Sequence, residues 1–124
     1  MLARSNEEAQ AFLGRLVRAY NSAVRAGDFT TFVALFTDDA TLEIEGVPEG
    51  PIAGRAAIAA HYRETQPDDE IRVMRWKAEP QRILAEFCWS DIPEAPGGCF
   101  ILEPQGDKIA RLTIALGGPD RCWR

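Results

Sequence analysis

Apolar residues recur three and four apart through the first part of the chain, at Ala9, Phe12, Leu13, Leu16, Val17, Tyr20, Ala23 and Val24, the spacing of one buried helix stripe. Ser5 followed by Glu8 makes a capping box at the start of this helix, and Gly27 supplies the left-handed residue that ends it. Asp28 caps a second, shorter helix in which Phe29, Phe32, Val33, Leu35 and Phe36 keep helical spacing until Asp38 and Asp39 stop it. From Ala40 the period changes to two: Leu42 and Ile44 alternate with Thr41, Glu43 and Glu45, the pattern of a strand with one buried face. Gly46 to Gly54, with three glycines and two prolines, reads as a loop. Arg55 to Glu64 returns to helical periodicity with Ile58 and Tyr62 four apart, and Thr65 to Glu70 is a polar break around Pro67. Only strands follow, at Ile71 to Lys77, Gln81 to Ser90, Gly98 to Glu103 and Lys108 to Leu116. They are separated by Glu79-Pro80, the Pro93 to Gly97 loop and the Pro104 to Asp107 turn. Runs of helices followed by runs of strands predict an α+β fold.

At 124 residues the chain has room for one domain with one core, spanning residues 1–124. A net charge of −5 with scattered basic residues argues against a nucleic-acid surface, which needs clustered Lys and Arg to displace counterions. No apolar run approaches the roughly 18–20 residues of a bilayer span, and MLARSNEE lacks the apolar stretch of a secretory signal, so the expectation is a cytoplasmic protein. Cys88, Cys99 and Cys122 form no CxxC pair and fit a reduced compartment. One histidine, His61, and no His/Cys/carboxylate cluster at ligand spacing give no support for a metal site, and no cofactor is expected.

Tyr20 is the residue on which function turns. Its phenol points into the core, where it must find a hydrogen-bond partner or cost about 1–3 kcal/mol. A backbone carbonyl or water would make it an ordinary core residue, whereas a bound ligand's oxygen would make it a donor able to stabilise an enolate. Three helices packed on one face of a strongly curved, mostly antiparallel sheet form a cone, and the residues expected to line or close it are Leu42, Ile44, Phe87, Trp89, Leu112, Ile114 and Leu116. Such a lining predicts a mostly apolar ligand. Asp91, at the end of the Trp89 strand, falls either at the cavity mouth or in a turn.

The order of elements, with Ala26-Gly27-Asp28, Phe36 to Thr41 (FTDDAT), Gly50 to Arg55 (GPIAGR) and Ile58 to Arg63 (IAAHYR), resembles the nuclear-transport-factor-2-like (NTF2-like) superfamily, in its SnoaL-like and steroid delta-isomerase-like branches. The resemblance spans nearly the whole chain and implies a cone enclosing a cavity, with a homodimer formed through the outer sheet face. It specifies function poorly, because this scaffold carries many chemistries and none. Tyr20 falls where ketosteroid isomerases place the oxyanion-hole tyrosine, Tyr62 where they place a supporting tyrosine, and Phe36 where many carry a third. Those enzymes combine an aspartate base with tyrosine and neutral-acid donors. Here Ile44 occupies the position of the base, and Glu45 follows it; Glu45 enters the cavity only if a bulge reverses the strand alternation or if the alignment is anchored instead on the later GPIAGR. The second donor position maps to Cys99, or to Gly98 or Phe100 if the register shifts.

The resulting expectation is a small-molecule protein that binds an apolar carbonyl compound, with Leu16, Phe36 and Cys99 joining the strand residues around the ligand. In an isomerase- or cyclase-like reaction without cofactor, Tyr20 would donate to the carbonyl oxygen, Tyr62 would orient Tyr20, and Glu45 or Asp91 would carry the proton. The alternatives are a noncatalytic binding module, which Ile44 favours, and a dimeric interaction protein whose cone is filled by its own aromatic side chains.

Overall fold

The computed structural model describes residues 6–45, 50–93 and 97–116. Helix α1 (Asn6–Ala26) leads to a single-turn helix α2 (Thr30–Val33), strand β1 (Phe36–Glu45), a two-residue strand β2 (Ile52–Ala53) and helix α3 (Arg55–Glu64). Strands β3 (Ile71–Glu79), β4 (Arg82–Trp89), β5 (Gly98–Gln105) and β6 (Lys108–Leu116) follow. Ser5 of the capping box, residues 46–49 of the Gly46 to Gly54 loop, residues 94–96 of the Pro93 to Gly97 loop, Cys122 and Trp123 lie outside the described residues.

One six-stranded sheet runs in the order β2-β1-β6-β5-β4-β3. The β1–β6 pair is parallel, and every other pair is antiparallel. The three helices cover its inner face, where Phe12, Leu13, Leu16, Phe32, Phe36, Leu42, Ile58, Ile83, Phe87, Phe100, Leu102, Ile109 and Leu112 form the core. A small second cluster of Leu84, Cys99 and Ala115 sits on the outer face.

The helix ends follow their sequence cues. Gly27 takes φ 67° and returns its N–H to the Ala23 carbonyl at 2.8 Å, closing α1. The Asp28 carboxylate accepts from the Thr30 N–H at 3.0 Å and the Thr30 hydroxyl at 2.7 Å, although Phe29 is the residue at the N-cap position itself. The side-chain amide of Asn21 donates to the Ile71 carbonyl and accepts the Ile71 N–H, both at 2.9 Å. It acts as an extra rung that fixes α1 to the start of β3.

Strand ends shift by one or two residues, with β3 running on to Glu79, β4 trimmed to Arg82–Trp89 and β5 continuing to Gln105 into the expected turn, and two differences from the sequence pattern are larger. The second helix stops at Val33, and Phe36 through Asp39 are already strand. Sheet pairing overrides helical periodicity here: the Leu35 carbonyl accepts the Ile109 N–H at 2.8 Å and Phe36 pairs with Ile109. The register then shifts between Phe36 and Thr41. Ile52–Ala53, within the loop expected from its glycines and prolines, pairs with Thr41 and Leu42 as a short edge strand. The expectation of three reduced thiols is also corrected: Cys88 is free and buried, whereas Cys99 is disulfide-bonded.

Candidate functional site

A pocket opens between α1, α2, α3 and the inner face of the sheet. Helical residues Leu16, Tyr20, Phe32 and Tyr62 form one wall, and Ile71, Phe87, Trp89, Phe100, Leu112, Ile114 and Leu116 form the other. The strand residues converge because period-two alternation sends them inward together. Phe100 sits opposite Ala85 on one side and Ile114 on the other, and Leu102 opposite Leu112. The free volume is about 70 Å³. That is roughly half of the ~150 Å³ cavity known to take up benzene, and enough for about two waters. A larger open groove of about 620 Å³, lined by residues such as Asp38, Arg55 and Lys108, lies on the outside of the α2–α3 junction and involves neither tyrosine.

The two tyrosines sit in an aromatic cluster. Tyr20 meets Phe29 and Phe32 edge-on at 6.0 and 5.7 Å, while Tyr62 stacks on Phe29 at 4.9 Å and meets Phe32 edge-on at 5.4 Å. The Tyr20 hydroxyl donates to the backbone carbonyl of Asp69 at 3.2 Å, long for an O–H···O bond. Burial, then the Asp69 and Asp68 carboxylates, push Tyr20 up to about 12. Burial, then the Tyr20 phenol, push Tyr62 above its ordinary value as well. Desolvation, then Asp91 and Asp68, raise the Asp69 carboxyl, so Asp69 has two other aspartates near it.

These shifts predict an alkaline weakness. The folded state retains phenol protons that the unfolded chain releases near pH 10, so their contribution is whole below pH 10 and is lost as pH rises from 10 through 12. Thermal unfolding followed by circular dichroism is expected to show a falling midpoint from pH 10 upward, with a shallower fall in Tyr62→Phe. A midpoint flat to pH 12 would contradict it.

Of the residues singled out from sequence, Leu16, Tyr20, Tyr62, Phe87, Trp89, Leu112, Ile114 and Leu116 line the pocket. The others are placed elsewhere. Phe36 and Leu42 are fully enclosed in the core, and Ile44 packs beside Ile114 against the core rather than on the pocket wall. Cys99 points to the outer face with Leu84 and Ala115, because its neighbour Phe100 takes the inner position. Glu45 pairs with Ala115 and shares its outer face; no bulge intervenes between Thr41 and Glu45 to reverse it. Asp91 is exposed in the turn after β4. Phe32, Ile71 and Asp69, whose carbonyl holds Tyr20, are additions, and Phe100, named only for a shifted register, lines the pocket as an apolar side chain. Tyr20's need for an acceptor was the one cue to Asp69, and it named no partner. Among the described residues no group of three or more His, Cys, Asp or Glu is arranged to hold a metal ion, and no helix is long and apolar enough to cross a membrane.

Comparison with known proteins agrees with this architecture. Among solved structures, an NTF2-like protein from Anabaena variabilis is similar with a TM-score of 0.73, 14% identity and 96% of each chain covered. A candidate ketosteroid isomerase from Kribbella flavida is similar at 0.59 and 22% identity, covering 85% of this chain and 77% of its own. An epoxide hydrolase from M. tuberculosis, of the LEH-like type, is similar at 0.61 and 22% identity, covering 83% and 80%. These define an NTF2-like α+β fold. Residues 17–112 match the profile of the SnoaL-like domain, and the chain belongs to that family. No curated protein matches the sequence.

Proposed function

We propose that this SnoaL-like protein binds a small, neutral, apolar carbonyl compound in the Tyr20–Tyr62 pocket and does not convert it. The observation that carries this reading is the composition of the wall among the described residues: nine apolar side chains and two phenols, with no carboxylate and no histidine. Hydrogen-bond donors without a base can hold a carbonyl oxygen but cannot remove the proton beside it. The volume of about 70 Å³ favours a small ligand, or the end of a larger one, over a tetracyclic ring system seated whole.

A second reading rests on Asp69. Its backbone carbonyl holds Tyr20, and its carboxyl is raised toward greater basicity at the pocket rim. An isomerase-like reaction would then use Asp69 as the base in place of Glu45 or Asp91.

Titration with an equilenin-like phenolic steroid, aromatic polyketides and aliphatic ketones, joined to proton–deuterium exchange beside the ketone carbonyl, separates these readings. Saturable binding of the smaller ketones without faster exchange is the expected result. Accelerated exchange that disappears in Asp69→Asn would replace binding by catalysis. No saturable binding across the panel would remove both and leave an interaction protein.

A further inference from the structure

Resting on the binding reading above, we infer that Tyr62, and not Tyr20, gives the hydrogen bond to the ligand's oxygen, and that the ligand enters carbonyl end first as a short unbranched chain.

Tyr62 is only 4% exposed, yet among the described residues its hydroxyl has no hydrogen-bond partner. Every fully enclosed side-chain nitrogen or oxygen among them is satisfied, so the Tyr62 oxygen must reach open space. Tyr62 borders both the internal pocket and an outer groove lined by residues such as Gly27, Thr30, Arg63 and Gln66, and we place its hydroxyl in the internal pocket. Tyr62 lines it, and the one titratable group whose charge Tyr62 senses is Tyr20, which lines the same pocket. The Tyr62 ring is fixed by its stack on Phe29 and its edge contact with Phe32, so the hydroxyl cannot swing out to water without dismantling the aromatic cluster. A donor held in apolar surroundings, with only water in a small pocket to accept from it, favours a ligand that brings an oxygen to the same place and apolar surface to the walls. Tyr20 is in the opposite condition, since its hydroxyl already donates to the Asp69 carbonyl.

The rest of the pocket narrows the ligand. Asp68 and Asp69, whose charges bear on the Tyr20 phenol, disfavour an anion, so the acceptor belongs to a neutral ketone, aldehyde or ester rather than a carboxylate. About 70 Å³ admits a carbonyl and a few methylenes but not a six-membered ring. The remaining chain would leave past Leu116, which is 45% exposed on the pocket's edge.

The test uses 2-hexanone labelled with carbon-13 at the carbonyl, titrated by NMR against the wild-type chain, Tyr62→Phe and Tyr20→Phe. The wild type and Tyr20→Phe should bind it saturably with a downfield carbonyl shift. Tyr62→Phe should lose the shift and bind about tenfold more weakly, the size of one neutral hydrogen bond. Because the chain has two tyrosines, 3-fluorotyrosine labelling of the otherwise unaltered protein gives two fluorine signals, which Tyr20→Phe assigns. The Tyr62 signal should move on ketone addition, so the result does not depend on Tyr62→Phe folding. A carbonyl shift that persists in Tyr62→Phe and vanishes in Tyr20→Phe, or a fluorine response confined to Tyr20, would overturn the assignment while leaving the binding reading intact. No saturable binding to the wild type would overturn both.

Discussion

Phe32→Ala is expected to destabilise the protein by about 3–5 kcal/mol and, in the same step, to make room for a ring in the pocket. Phe32 is 1% exposed and stands at the junction of four other rings, Tyr20, Phe29, Phe36 and Tyr62, with centroids 5.4 to 6.0 Å away. Its loss removes both the burial of a large apolar side chain and the edge contacts around it. Phe32 also lines the pocket, so the vacated space adds to the existing 70 Å³ and brings the total toward the ~150 Å³ that accepts benzene. Urea unfolding with and without saturating benzene checks both halves. The midpoint should drop sharply in the variant, and benzene should return part of it by binding the folded state, while leaving the wild type unchanged. A drop without benzene rescue would mean that the core collapsed into the vacancy.

Gly98→Ala is expected to cost about 2–4 kcal/mol, a large effect for one methyl group. A Cβ at this position would lie 2.3 Å from the Ala115 carbonyl oxygen and 3.1 Å from the Leu116 Cα, and both are backbone atoms of the neighbouring strand. They cannot retreat, because Gly98 pairs with Leu116 and Cys99 with Ala115 in the β5–β6 ladder. The backbone itself has φ 156°, a conformation that glycine adopts and a side chain resists. Strand separation here would also displace Leu116 from the pocket wall, so the proposed ketone binding should weaken along with stability in any folded fraction. Denaturant midpoints within about 0.5 kcal/mol of the wild type would show that the strands can separate locally at little cost.

Where local pattern and tertiary environment agree, the sequence was sufficient. Helix α3 and strand β6 fall on the boundaries that periodicity alone assigns, because Ile58 and Tyr62 mark one face of a helix and the turn around Gly106 starts a clean strand. The Phe29 to Phe36 stretch misled for a physical reason. Its spacing is helical, but Phe36 gains more from pairing with Ile109, some 70 residues away, than from one more helical turn. Cys99 and Phe100 show a second limit. Gly98 to Leu102 is a continuous apolar run buried on both faces, so alternation carries no sign of which side chain points inward. The partner of Tyr20 was harder still. Ile44 announces the absence of an aspartate, but Asp69 approaches Tyr20 through a main-chain carbonyl in a polar break, and a main-chain contact leaves no mark on residue type.

The parallel pairing of β1 with β6 also bears on how the chain acquires its shape. Thr41 meets Arg111 and Leu42 meets Leu112, about 70 positions later, and this junction lies inside the sheet rather than at its margin. During synthesis β1 emerges early, and the strand that completes it emerges only after β3, β4 and β5. Until then β1 can pair only with the two residues of β2 and leaves its other side unpaired. Closing so long an excursion is entropically slow, and a nascent chain that waits in this state presents a bare strand to its surroundings. Premature termination before Lys108 should therefore yield aggregates rather than a smaller folded species.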